Sequence, residues 1–140
     1  YSVVQYAWNC CEKCDEWEAA WFDCQEKYKE YNWIHAYPNA AAEVIALYFS
    51  NDDFDQCMYI IAMEGQDVDC SAGQIATIFG IRNGFQGLDR RWTEPLGDKL
   101  DTLVRGYEST TITNIARQTA DAIFAAKGKE SGITGTISLG

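Results

Sequence analysis

Two carboxylates separated by a single residue, Asp67 and Asp69, stand in the polar stretch Met63-Glu64-Gly65-Gln66-Asp67-Val68-Asp69-Cys70-Ser71-Ala72-Gly73, bounded by glycine and set between two apolar runs. In a short turn both carboxylates can converge on one point, which suits a hard divalent cation that needs several oxygen ligands. Cys70, Ser71 and the backbone carbonyls are the neighbouring donors. The competing structural reading is that Asp69 or Ser71 caps the following helix and Asp67 shapes the turn. An Asp-x-Asp spacing is short and common, so on its own it leaves both readings open.

Other side chains have the chemistry but weaker spacing. His35, the single histidine, has the residue type of an acid or base, yet a lone histidine among aromatic residues more often packs or caps. Arg90 and Arg91 could grip a phosphate; in so acidic a chain they read as partners of surface carboxylates. Cys11, Cys14, Cys24 and His35 could be drawn together as a zinc site, but Cys11 and Cys14 lie one helical turn apart on a face shared with Val4 and Trp8, which suits packing.

The elements that must position these groups are read from periodicity. Residues 1–30 contain neither Pro nor Gly and carry apolar residues at helical spacing, with acidic residues crowding the middle, so a break between Lys13 and Trp17 gives two helices. An aromatic segment, Tyr31 to Tyr37, leads to Pro38, whose fixed φ suits a first helical turn. A helix to Phe49 follows, burying Ala41, Val44, Ile45 and Tyr48. Asn51-Asp52-Asp53 reads as turn and cap, and the next helix buries Phe54, Cys57, Met58 and Ile61. After the acidic turn, a helix from Ser71 to Phe85 is apolar on nearly every side and is expected to be buried all round. Its glycines Gly73, Gly80 and Gly84 suggest close approach of neighbouring backbones, and Gly73, near the helix start, would let an anion reach free N–H groups. Gly97 to Val104 reads as weakly helical and Glu108 to Thr111 as loop and cap. Ile112 to Lys127 is the cleanest amphipathic helix, with Gly128 as its stop. The expected architecture is all-α: a compact orthogonal helical domain of about six helices over residues 1–128 and a flexible tail over 129–140.

The chain has 140 residues, 47% of them hydrophobic, with five Trp, eight Tyr and six Phe. That length and composition support one domain with a real core. A formal net charge of -10 argues against nucleic acid or an anionic membrane as partner. No apolar run reaches membrane-spanning length and no leader pattern opens the sequence, so a cytoplasmic chain is expected. In that compartment the six cysteines are expected as free thiols.

Three separated motifs carry a resemblance: Tyr31-Asn32-Trp33-Ile34-His35-Ala36-Tyr37-Pro38-Asn39-Ala40, then Gly65-Gln66-Asp67-Val68-Asp69-Cys70-Ser71-Ala72-Gly73, then Arg91-Trp92. In this order they resemble the ADP-ribosylglycohydrolases, over most of the chain. The resemblance implies that Asp67 and Asp69 bind Mg2+ (or Mn2+) in a two-metal centre, with Cys70 where the family commonly has a hydroxyl. Gly65, Ser71, Gly73, His35 and Asn39 are the implied substrate-facing residues, and the implied activity is hydrolysis of a glycosidic bond to ADP-ribose on a protein or small molecule. Val68 stands where threonine is usual, and Cys70 offers sulfur, a poor partner for magnesium. The family's other acidic motif belongs to the N-terminal half of a longer chain, so the sequence resembles the C-terminal half of the fold. From this follow the expectations of weak cation binding, inactivity alone, and pairing with the missing half or with a second copy. The rival expectation is a non-catalytic binding or scaffold remnant, and a weaker one is a zinc-stabilised interaction module.

Overall fold

The computed structural model describes residues 2–127. Among them are seven α-helices and one two-stranded sheet, a mostly α-helical fold as the periodicity indicates. The expected tail 129–140 and the stop at Gly128 lie outside the described residues. The chain divides between Phe85 and Gln86 into two compact units.

The first unit holds α1 (Ser2–Cys11), α2 (Trp17–Tyr28), α3 (Ala36–Phe49), α4 (Phe54–Glu64) and α5 (Val68–Asn83). The expected break falls between α1 and α2. At the centre is α3, which packs against each of the other four. Its sequence explains the position: Ala41, Ala42, Ile45 and Ala46 are fully buried at helical spacing, and alanine on a buried face lets neighbouring helices come close. Val44 and Tyr48 take the flanks instead of the core; Tyr48 meets Trp8 of α1 edge-on, ring centroids 5.2 Å apart.

Cys10, Cys11, Cys24 and Cys57 are buried free thiols, serving as small apolar residues. Burial pushes the Cys11 thiol up to about 12 and Cys57 to about 11, and raises Cys24 as well. Among the described residues the side chains of Cys11, Cys14, Cys24 and His35 do not converge on a common point.

Two turns connect α3 to α4 and α4 to α5. The first places Asn51 and Asp52 at positive φ, and Asp53 then caps α4 by accepting the Gln56 N–H at 2.8 Å. On α4 the buried residues are Cys57, Ile60, Ile61 and Glu64; Phe54 and Met58 are half-buried, Phe54 resting edge-on against Phe79.

Three readings of α5 are corrected. The helix begins three residues before Ser71, because the Asp67 carbonyl already accepts the Ser71 N–H at 3.0 Å. Nor is it buried all round. Within this unit it packs on α3 and α4, which covers Ser71, Ile75 and Phe79 on one stripe and leaves Ile78 and Ile81 exposed. A Cβ added at Gly73, Gly80 or Gly84 meets nothing within 4 Å, so none of the three glycines serves close backbone approach.

The second unit contains the short helix α6 (Arg90–Thr93), strands β1 (Lys99–Asp101) and β2 (Ser109–Thr111), and α7 (Ile112–Lys127). Arg90 pairs with Glu94 at 3.4 Å and Arg91 with Asp89 at 3.8 Å, so both arginines have carboxylate partners in their own segment. The segments read as weak helix and loop form an antiparallel hairpin, with Leu100 opposite Thr110. The β-branched threonines favour the extended ladder over a loop. Helix α7 has the expected bounds. Its start is fixed by Asp98, which accepts from the Thr113 N–H at 2.7 Å and hydroxyl at 2.9 Å, and by Thr111, whose hydroxyl accepts the Asn114 N–H.

Candidate metal site

The acidic turn is built by the end of one helix and the start of the next. Gly65 ends α4 in the left-handed conformation, φ 70°, where glycine carries no Cβ penalty. Two residues later Asp67 occupies the cap position of α5. Asp69 and Cys70 therefore lie in the first turn of a helix rather than in a loop. A carboxylate there is favoured by the partial positive charge of the helix N-terminus.

The capping reading of the turn is only half met. Asp67 stands at the cap, but its carboxylate accepts no cap hydrogen bond from the helix backbone and remains available. One ligand-type atom from each of Asp67, Asp69 and Cys70 lies within 4.8 Å of the others, and among the described residues no other group of three does so. The Cys70 thiol is raised above its ordinary value, first by its hydrogen bond to Asp67, then by the charge of Asp67, by burial and by the charge of Asp69. As a neutral thiol it is a donor to Asp67, which helps to orient that carboxylate.

Of the residues expected to face substrate, Gly65 and Gly73 are exposed, whereas Ser71 and Asn39 are buried. Gly73 lies beyond the first turn of α5, past the free N–H groups it was expected to open to an anion. Ser71 donates its hydroxyl to the Asn39 side-chain oxygen at 3.1 Å, and that oxygen also accepts the Asp67 N–H at 3.0 Å. His35 is the cap of α3: its Nδ1 accepts the Tyr37 N–H at 3.1 Å. Its ring lies 4.2 Å from that of Tyr31 and 4.8 Å from that of Tyr37, centroid to centroid. Any proton on a neutral His35 ring thus sits on Nε2.

Two carboxyls escaped the sequence reading. Burial raises the Glu43 carboxyl above its ordinary value, and the nearby Ser71 hydroxyl offsets part of the rise. The signal for Glu43 was the i,i+4 spacing from Asn39, which puts both on one face of α3. Glu64, only 4% exposed, has both carboxyl oxygens without a partner. Burial pushes it up to about 9, so it is neutral at pH 7. It continues the stripe of Cys57, Ile60 and Ile61, a spacing that could have flagged it as buried.

A cavity of about 230 Å³ lies beside the turn, lined by Trp21, Gln25, Tyr28, Tyr31, Pro38 and Gln66 among others. Gln66 immediately precedes Asp67, so the aromatic segment and the acidic turn meet around one opening.

Residues 3–129 match the family described as ADP-ribosylglycohydrolase. The chain belongs to the ADP-ribosylglycohydrolase family. Membership places it among hydrolases of ADP-ribose linkages, a family that is generally metal-dependent, and the acidic turn lies well inside the matched span. No curated protein and no solved structure matches the chain. No described helix is long and apolar enough to cross a membrane.

Proposed function

We propose that the chain supplies one acidic half of a centre that hydrolyses glycosidic ADP-ribose bonds, with Asp67 and Asp69 holding Mg2+ or Mn2+. What supports this reading is the close approach of the two side chains at the start of α5, within 4.8 Å, in a turn where Asp67 is not committed to capping. The donor set fits a hard cation through its two carboxylates. The sulfur of Cys70 does not fit one, which leaves the remaining positions to water and to substrate oxygens. Two fixed oxygens hold magnesium weakly, on the order of millimolar.

When bound, the cation supplies Lewis-acid polarisation of substrate oxygen. The carboxylates of Asp67 and Asp69 stay ionised beside a dication and so act as ligands, not as general acids. Tyr31 and Gln66 are among the residues that line the neighbouring cavity. At about 230 Å³ that space is below the ~300–1,000 Å³ of a drug-sized ligand, enough for one ring or sugar of the substrate but not for a dinucleotide. A second acidic cluster, and the general base, come from another polypeptide segment in this reading.

The test combines the chain with a polypeptide bearing the family's other acidic cluster and measures release of ADP-ribose from an ADP-ribosylated protein. Release should need both polypeptides and the cation, and Asp69→Ala should abolish it, because groups that act as a unit are lost together. Tight pairing without release, in an assay where a full-length family member is active, overturns the hydrolase reading in favour of a binding module.

A further inference from the structure

We propose that Asn39 is a positioning residue for the acidic turn: its carboxamide locks the start of α5 to the segment before α3 and so fixes where Asp67 and Asp69 point. The proposal rests on the cation reading above and adds to it a residue that never touches the ion.

Asn39 lies in the first turn of α3 and is 9% exposed. Its Nδ2 donates to the carbonyl of Trp33 at 2.8 Å and to that of His35 at 2.9 Å. Its Oδ1 accepts from the Asp67 N–H at 3.0 Å and from the Ser71 hydroxyl at 3.1 Å. A primary amide has two donor hydrogens and two acceptor lone pairs, so every hydrogen-bonding valence is filled and none is left for a substrate. The partners also settle which way the amide faces. Two carbonyls can only be met by its NH2, and a backbone N–H only by its oxygen.

The Asp67 N–H is at a helix start, where N–H groups have no acceptor within the helix. The Trp33 and His35 carbonyls belong to the irregular segment that carries Tyr31 and lines the cavity with it. One side chain therefore joins the aromatic segment to the cation turn, reaching 28 residues along the chain to Asp67 and 32 to Ser71. Through its bonds to the Asp67 N–H and the Ser71 hydroxyl, Asn39 holds the start of α5 at two points. Groups that orient metal ligands from behind typically change affinity by roughly 10–100-fold when removed.

The experiment measures Mn2+ affinity by electron paramagnetic resonance, with thermal midpoint and hydrogen exchange of the Asp67 amide, on the full chain. The variants are Asn39→Ala, Ser71→Ala and, as a packing control, Ile60→Val, which trims a buried residue of α4. Asn39→Ala should weaken Mn2+ binding by about tenfold or more and speed exchange at Asp67. Ser71→Ala, which keeps three of the four bonds, should show a smaller loss in the same direction; if Asn39→Ala does not fold, this variant decides. Ile60→Val should lower the midpoint without changing affinity. Unchanged affinity in Asn39→Ala and Ser71→Ala, or an equal loss in the control, overturns the positioning role while leaving the cation site standing. A wild-type chain that binds no Mn2+ overturns the cation reading and this proposal together.

Discussion

Replacing Glu64 with glutamine exchanges a buried, unpartnered carboxyl for a neutral side chain of the same shape. In the folded chain burial moves that carboxyl from its ordinary 4.5 up to about 9, while in the unfolded chain it titrates as an exposed glutamate. Between these values the unfolded state has released a proton that the folded state keeps, so stability falls as pH rises. The contribution is fully present below about 4.5 and is lost as pH climbs through about 9. Each pH unit in that window removes about 1.4 kcal/mol, or about 3 kcal/mol by pH 7. The Cys11 and Cys57 thiols, which feel the charge of Glu64, titrate near 12 and 11, above the window. Glutamine does not titrate. Urea unfolding of wild type and Glu64→Gln at pH 5, 6, 7 and 8 therefore isolates this carboxyl, because the other groups cancel in the difference. The variant should gain on the wild type steadily with pH and be the more stable protein at pH 8. Parallel pH profiles would refute the reasoning, since they would mean that Glu64 is hydrated or charged in the folded chain.

Other substitutions probe the same structure at single points. Ile45→Ala, in the fully buried face of α3, should cost about 2–5 kcal/mol in chemical denaturation. Asp53→Ala removes the cap bond to Gln56 and should cost about 1 kcal/mol, seen as a lower thermal midpoint with unchanged helical content. A maleimide under native conditions should label Cys70, the exposed thiol, ahead of the buried Cys10, Cys11, Cys24 and Cys57, with mass spectrometry of the peptides as the readout. Early labelling of Cys24 or Cys57 would contradict the packing of the first unit.

The helices were legible because their signals are local. Periodicity located α1 to α4 and the bounds of α7, and short polar segments marked their caps, including Asp53. What escaped depends on partners far along the chain. Apolar residues surround α5, yet which of them are covered depends on where α3 and α4 lie, so Ile81 could not be told from Ile75. The hairpin was missed because three-residue strands carry almost no alternation, and Ser109-Thr110-Thr111 serves a cap as readily as a ladder. At the candidate site, the Asp-x-Asp pair was visible from residue type, whereas the bonds from Asn39 to Asp67 and Ser71 have no sequence signature. His35 was legible as a packing or capping residue from the aromatic residues beside it, and it does both.

The most direct test of the cation site is Mn2+ titration of the wild-type chain followed by the paramagnetic signal of the free ion, in parallel with Asp67→Asn and Asp69→Asn. Wild type should deplete free Mn2+ with a dissociation constant on the order of millimolar, Mg2+ should compete, and either substitution should remove most of the binding. Equal depletion by all three proteins would take Asp67 and Asp69 out of any metal centre.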